Sequence, residues 1–125
     1  MSQKQMESFQ EERERLDKLV MKYAGLGIKR FYGLDAQVYR QGALSKKSKE
    51  LLGLVASLVL RCDDCITYHL LRCHQLGVRS AELEEALAIG LVVGGSITIP
   101  HLRRALQRWD ELPVSQKSRG KESGK

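Results

Sequence analysis

The stretch from Lys46 to Leu60 does most to limit what this chain can fold into. From Leu51 to Leu60 it is apolar nearly all round a helical wheel. Such a helix has no solvent face of its own, so other elements must bury it, and it is expected to be central. Ser45 stands before it as an N-cap. The flanking segments read as helices too. Met6, Phe9, Leu16, Leu19, Val20 and Tyr23 fall at helical spacing, with Glu11, Glu12, Arg13, Glu14 and Arg15 on the opposite face. That charged run is most simply a solvated or subunit-facing surface. This first helix is predicted to end near Gly25 and Gly27. Phe31, Leu34, Val38 and Tyr39 suggest a shorter second helix closed by Gly42. A fourth is predicted from about Asp63 to Leu76, stopping at Gly77. Ser80 is expected to cap a fifth, with Glu82, Glu84 and Glu85 in its first turn. Pro100 fits the first turn of a sixth, with Ser96 or Thr98 as capping candidates.

Six helices with short connections predict an all-α fold, a small six-helix bundle without a sheet. Leu87 to Val93 read as a lone strand would have nothing to pair with. Composition supports this: only 2 Pro, 1 Trp and 2 Phe occur, poor material for a sandwich or barrel. With 125 residues the chain has room for one core. The expected division is a single helical domain over 1–112, its motif region at 45–112, and a flexible basic tail over 113–125.

The net charge of +6 invites a nucleic-acid reading. Half of the excess, however, lies from Pro113 onward, in Lys117, Arg119, Lys121 and Lys125 against Glu122. The rest is interleaved with acids and forms no basic stripe with aromatics, so no nucleic-acid partner is expected. The longest uncharged apolar run, Ala86 to Ile99, is interrupted by Gly90, Gly94, Gly95 and Ser96. It is shorter than the roughly 20 residues of a bilayer span, so no membrane partner is expected. Met1 to Lys18 is polar with both charge signs, unlike a signal peptide. A cytoplasmic location is the expectation, where thiols are held reduced.

The 3 cysteines are too few, and odd in number, for a disulfide scaffold. Their spacing is what carries chemistry. Cys62, Cys65 and His69 stand at i, i+3 and i+7, one face of a helix, with both thiols in its opening turn. The unpaired N–H groups there favour a thiolate. A partner one turn away lies within reach of a disulfide. His69 can accept or relay a proton for Cys65. Glu50 begins the apolar helix. If that helix packs antiparallel against the next, the carboxylate can reach the imidazole and orient it. Otherwise it is a solvated first-turn carboxylate.

Zinc is the rival for Cys62, Cys65, His69 and Cys73. All four lie on one helix whose Cys62-to-Cys73 span of about 16 Å is too long for one tetrahedral ion. A zinc ion would need His101 or Glu50 brought in by folding. Covalent haem wants His directly after the second Cys, where Ile66 stands, and a thioredoxin motif wants a βαβ context. No metal and no cofactor is expected. The pair could also be inert core, Cys73 reads as packing, and His101 as a satisfied structural histidine.

The string E-x11-C-x-x-C-x-x-x-H in an all-helical chain, followed by "GVRSAELEEALAIGLVVGGSITIPHLRRAL", resembles the alkylhydroperoxidase D-like branch of the carboxymuconolactone decarboxylase family. The likeness runs from about Ser45 to Leu112. It implies a small helical protein assembling as a homotrimer or homohexamer. The implied activity is that of a thiol peroxidase or disulfide reductase, with Cys62 and Cys65 as the redox pair and Glu50 and His69 as the proton relay. The implied partners are a hydroperoxide or disulfide substrate and a thiol reductant, either a protein or a small dithiol. One departure stands out. The best-known peroxidase of the family has a further histidine directly before the second Cys, where this chain has Asp64. Asp63 and Asp64 beside the thiols would oppose thiolate formation. Two other readings are a lactone decarboxylase, for which both cysteines would be dispensable, and a non-enzymatic redox sensor.

Overall fold

The computed structural model describes residues 2–113. Six helices follow one another: α1 (Gln3–Tyr23), α2 (Leu26–Val38), α3 (Lys46–Val59), α4 (Asp63–Gln75), α5 (Ser80–Gly94) and α6 (Ile99–Asp110). A 3₁₀ turn, Ser96–Thr98, precedes α6, and no strand occurs among the described residues. The all-α six-helix expectation holds. The anticipated tail lies, apart from Pro113, outside the described residues. No helix among the described residues is long and apolar enough to cross a membrane.

α3 packs on both α4 and α5, and α6 closes against α4. Leu54 and Leu58 of α3, Ile66, Leu70 and Leu71 of α4, Leu83 and Leu87 of α5 and Trp109 of α6 make one buried cluster. Each such side chain contributes about 1.5–3 kcal/mol by leaving water. The close α3–α5 approach depends on Gly90, and the fold-back of the 3₁₀ turn onto α5 depends on Gly94. A Cβ at Gly90 would meet Leu58 Cδ2 at 3.0 Å, and one at Gly94 would meet Thr98 Cγ2 at 2.5 Å. Polar ties cross the same layers: Lys47 pairs with Glu82 at 2.8 Å, and the Trp109 indole N–H donates to Ser80 Oγ at 3.1 Å.

The expectation that α3 is buried all round is corrected. Leu52 and Leu60 are exposed, because the bundle covers α3 mainly on the α4 and α5 sides. α1 and α2 have no fully buried residue. They lie over the bundle through Met6 and Phe9, which pack on the core, and through the Arg13 guanidinium, 3.8 Å from the centre of the Tyr68 ring.

Helix ends follow capping chemistry, with three departures from expectation. α2 begins at Leu26, runs through Gly27 and Gly33, and ends at Val38 rather than at Gly42, where a cation holds the carbonyls of its C-terminal end. Lys49 Nζ donates to Val38 O at 2.8 Å and Arg40 O at 2.6 Å. α5 is capped not by Ser80 but one residue earlier, where the Glu82 carboxylate accepts the Arg79 backbone N–H at 2.9 Å. Ser80 is freed to hold Trp109. At α6 neither candidate caps through its side chain, since Thr98 Oγ1 donates back to Gly95 O at 2.8 Å. Ser45 does cap α3, accepting the Ser48 N–H at 3.0 Å.

Candidate active site

The site starts at the turn between α3 and α4. Three hydrogen bonds close α3: Leu60 N–H to Ala56 O, Arg61 N–H to Leu58 O and Cys62 N–H to Ser57 O. This is a Schellman ending, and it puts Arg61 in the left-handed region at φ 59. Glycine usually fills that position, and the sequence offers none there. The reversal delivers Cys62 as the N-cap of α4. Its sulfur accepts the Cys65 backbone N–H at 3.3 Å.

Cys62 and Cys65 are joined as a disulfide, with Cα atoms 5.3 Å apart. Cys62 is half-buried and Cys65 is exposed. One turn further along α4, His69 is nearly buried. Because α3 and α4 run antiparallel, Glu50 comes opposite it: His69 Nδ1 lies 2.7 Å from Glu50 Oε1. The carboxylate accepts, so Nδ1 carries the proton and Nε2 keeps its lone pair. Glu50 is only 3% exposed. Its other oxygen faces Arg72 Nε at 3.6 Å. All four residues singled out from the sequence therefore lie along the α3–α4 pair, the cysteines at the turn and the Glu50–His69 contact further along the two helices.

Further residues shape the site. Tyr39 and Tyr68 flank the imidazole, with ring centres 5.5 and 5.1 Å from it. Gly53, three residues after Glu50, lets the imidazole press on α3. A Cβ there would stand 2.7 Å from His69 Cε1 and 2.6 Å from the Tyr39 hydroxyl oxygen. Burial, followed by the nearby Glu50 carboxylate, pushes the Tyr39 phenol above its ordinary range. The helical phase of Tyr68, three after Cys65, and of Gly53 was available in the sequence. Nothing local in the sequence marks Tyr39.

An open cleft of about 760 Å³ lies between α4 and the α1–α2 pair, with Cys65, Tyr68 and His69 on one wall and Phe9, Arg13 and Leu16 on the other. A second, of about 440 Å³, shares Phe9, Arg13, Tyr39 and Tyr68 with it and reaches Glu50 and Arg72. The exposed sulfur, the imidazole and the rear of the carboxylate are thus all reached from one side of the molecule.

The remaining candidates separate from this group. Cys73 is fully buried, and burial, then the Glu50 charge, pushes its thiol up to about 12. It is a packing residue. His101 does not line either cleft. Its Nδ1 meets Asp63 Oδ1 at 2.8 Å. No group of three or more His, Cys, Asp or Glu side chains among the described residues is arranged to hold a metal ion.

The chain thus combines an all-helical fold with a cysteine pair closed as a disulfide near a buried carboxylate–imidazole contact. Comparison with known proteins supplies its family. The model of the carboxymuconolactone decarboxylase family matches residues 28–108, and the chain belongs to that family. It is 27% identical over 82 residues to uncharacterized protein 4 in the cox locus of Paracoccus denitrificans, covering 66% of this chain and 74% of that protein. An uncharacterized protein of Cupriavidus necator is 28% identical over 82 residues, covering 66% of this chain and 73% of its own length. Two crystal structures from Thermotoga maritima superpose with a TM-score of 0.82 each. One is 53% identical, covering 94% of this chain and 98% of that one. The other is 55% identical, covering 90% and 96%, and is a carboxymuconolactone decarboxylase family protein for which an antioxidative role has been suggested.

Proposed function

We propose that this chain is a thiol-dependent oxidoreductase that reduces a hydroperoxide, or a small disulfide, by cycling the Cys62–Cys65 pair between dithiol and disulfide. The observation that carries the reading is a solvent-reachable Cys65 sharing one cleft with His69, whose far nitrogen is held by the buried Glu50. The antioxidative role suggested for the Thermotoga maritima relative supports the same chemistry.

In the forward half-cycle Glu50 holds the His69 Nδ1–H, so Nε2 takes the proton from the Cys65 thiol. The thiolate attacks the terminal oxygen of ROOH. The O–O bond breaks, Cys65 becomes a sulfenic acid, and the leaving alkoxide takes the proton from His69 as ROH. The Cys62 thiol then displaces water from the sulfenic acid and the S–S bond forms. In the return half-cycle two external thiol groups supply two electrons and two protons. One attacks the exposed Cys65 sulfur, and Cys62 leaves to its place on the Cys65 amide. The external reductant departs as its own disulfide.

The reductant is a protein thiol or a small dithiol able to enter the open cleft. Self-association as a homotrimer or homohexamer belongs to the same proposal. The apolar side chains left exposed on α2 and α5 support it.

Hydroperoxide consumption with dithiothreitol as electron donor tests the reading. Turnover is expected for the wild type and none for Cys62→Ser or Cys65→Ser. Glu50→Gln keeps a hydrogen-bond acceptor but loses the charge, and is expected to lower kcat/KM by about 100-fold, the low end for lost acid–base assistance. A dithiol count unchanged by hydroperoxide, or full activity in both Ser variants, would overturn the proposal. Decarboxylation of a lactone substrate at an equal rate by both Ser variants would point instead to a cysteine-independent lactone decarboxylase.

A further inference from the structure

Two acids, Asp63 and Asp64, directly follow Cys62 at the start of α4. An open carboxylate there would repel a thiolate and weaken the proposed chemistry. For Asp63 the fold answers this from a distant part of the chain. From α6, His101 Nδ1 reaches Asp63 Oδ1 at 2.8 Å, and Arg104 Nε donates to Asp63 Oδ2 at 3.0 Å. Both oxygens of the carboxylate are occupied. The Asp63 carbonyl is tied as well, accepting the Thr67 hydroxyl at 2.9 Å. Asp63 and Arg104 are separated by 41 residues in sequence, so this is a tertiary arrangement rather than a local capping habit. Asp64, by contrast, lines the cleft beside Cys65 and is exposed.

We propose that Asp63, His101 and Arg104 form a charge clamp that sets how readily the Cys62–Cys65 pair is reduced. Arg104 cancels the Asp63 charge at the sulfurs and His101 fixes the carboxylate's orientation, so the opening turn of α4 keeps the net positive character of a helix start. None of the three need touch substrate, and they act as positioning residues. Burial alone would raise the Asp63 carboxyl, but the His101 hydrogen bond and the Arg104 charge outweigh it and hold it below the usual carboxylate range.

The chemistry gives the clamp a sign. Reduction of the pair by dithiothreitol breaks the Cys62–Cys65 bond and forms the ring disulfide of the reagent. Two electrons and two protons cross, less one proton for any thiol that stays ionised. A more stable thiolate therefore draws the equilibrium toward the reduced protein. Asp63→Asn leaves Arg104 unopposed at the opening turn of α4 and favours the thiolate. Arg104→Met leaves a carboxylate without its guanidinium and disfavours it.

The test measures the thiols rather than turnover. The clamp rests on the dithiol reading only for its use, so a failure of catalysis and a failure of the clamp are seen separately. Thiolate ultraviolet absorbance against pH, and the redox equilibrium with dithiothreitol, are recorded for the full chain and its variants. Asp63→Asn is expected to lower the reactive thiol's midpoint by about half a pH unit and Arg104→Met to raise it by as much, the size of one partly screened charge centred on the residue next to Cys62. The redox equilibrium should move about threefold in opposite directions in the two variants. Arg104→Lys should recover most of the wild-type value, and the Asp63→Asn/Arg104→Met pair should return near it. Melting curves record folding of each variant. If Arg104→Met does not fold, the Asp63→Asn shift and the Arg104→Lys recovery decide the matter. Shifts of the same sign in both single variants, or no shift in folded Asp63→Asn protein, would overturn the clamp and leave a merely structural ion pair.

Discussion

Single residues in this molecule matter by what they leave room for as much as by what they contribute. Gly53 is the plainest case. The imidazole of His69 is pinned on one side by Glu50, so it cannot retreat when a methyl group is added on the other. Gly53→Ala is expected to displace His69 and Tyr39, costing about 1–3 kcal/mol by overpacking despite the better helix propensity of alanine. Urea unfolding checks the first effect. A loss of the proposed hydroperoxide turnover larger than the stability loss explains would report the displaced imidazole. Glu50, Cys62, Cys65 and His69 were legible because helical phase and an antiparallel helix pair are arithmetic on spacing. Tyr39 and the Asp63–His101–Arg104 cluster were not, since they depend on how α2 and α6 approach, which spacing along one helix does not encode. The sequence suggested that Asp63 opposes the thiols; in three dimensions that charge is already engaged.

Among the helices, the junction of α3 and α4 carries the most information. A Schellman ending normally takes glycine at its left-handed position, and at the end of α4 Gly77 fills it with φ 77. At the end of α3 the same turn is made by Arg61. Arg61→Gly is therefore expected to stabilise the fold by about 0.5 kcal/mol, strain relief of about 1–2 kcal/mol being partly offset by the flexibility of glycine in the unfolded chain. A higher denaturation midpoint with an unchanged slope would show it. Most helix positions were readable from periodicity, Gly and Ser. The boundaries that shifted, at α2 and α5, did so where caps came from Lys49 and from Glu82, while α6 starts after Thr98 as expected but without a bond from its side chain. Those are tertiary or side-chain choices that a list of good cap residues ranks wrongly.

Taken whole, the molecule is a bundle with an uncovered side. Val92 is 83% exposed and Val93 70%, on the same helix that packs its other face against α3. Light scattering is expected to give a mass several times the 14.1 kDa of one chain, and Val92→Asp to shift it toward the monomer. The pH response also belongs to the whole fold. Asp63 is held low by His101 and Arg104 against the effect of its burial, and Glu82 by Lys47 and Arg79 against the same effect. Both are depressed in the folded state, so their stabilisation is complete above the unfolded carboxyl range. It is lost as pH falls through the folded values, below about pH 4. Urea midpoints should drop over that window, and less steeply in Glu82→Gln.

The sulfur of Cys62 is both one half of the disulfide and the acceptor that caps the start of α4. These duties can be pulled apart genetically. A hydroxyl in its place still accepts an amide proton at the helix start, whereas a methyl does not. Serine thus yields a protein with its architecture kept and its electrochemistry removed, while alanine removes both. Comparing the two would separate what the helix requires of this atom from what the reaction does.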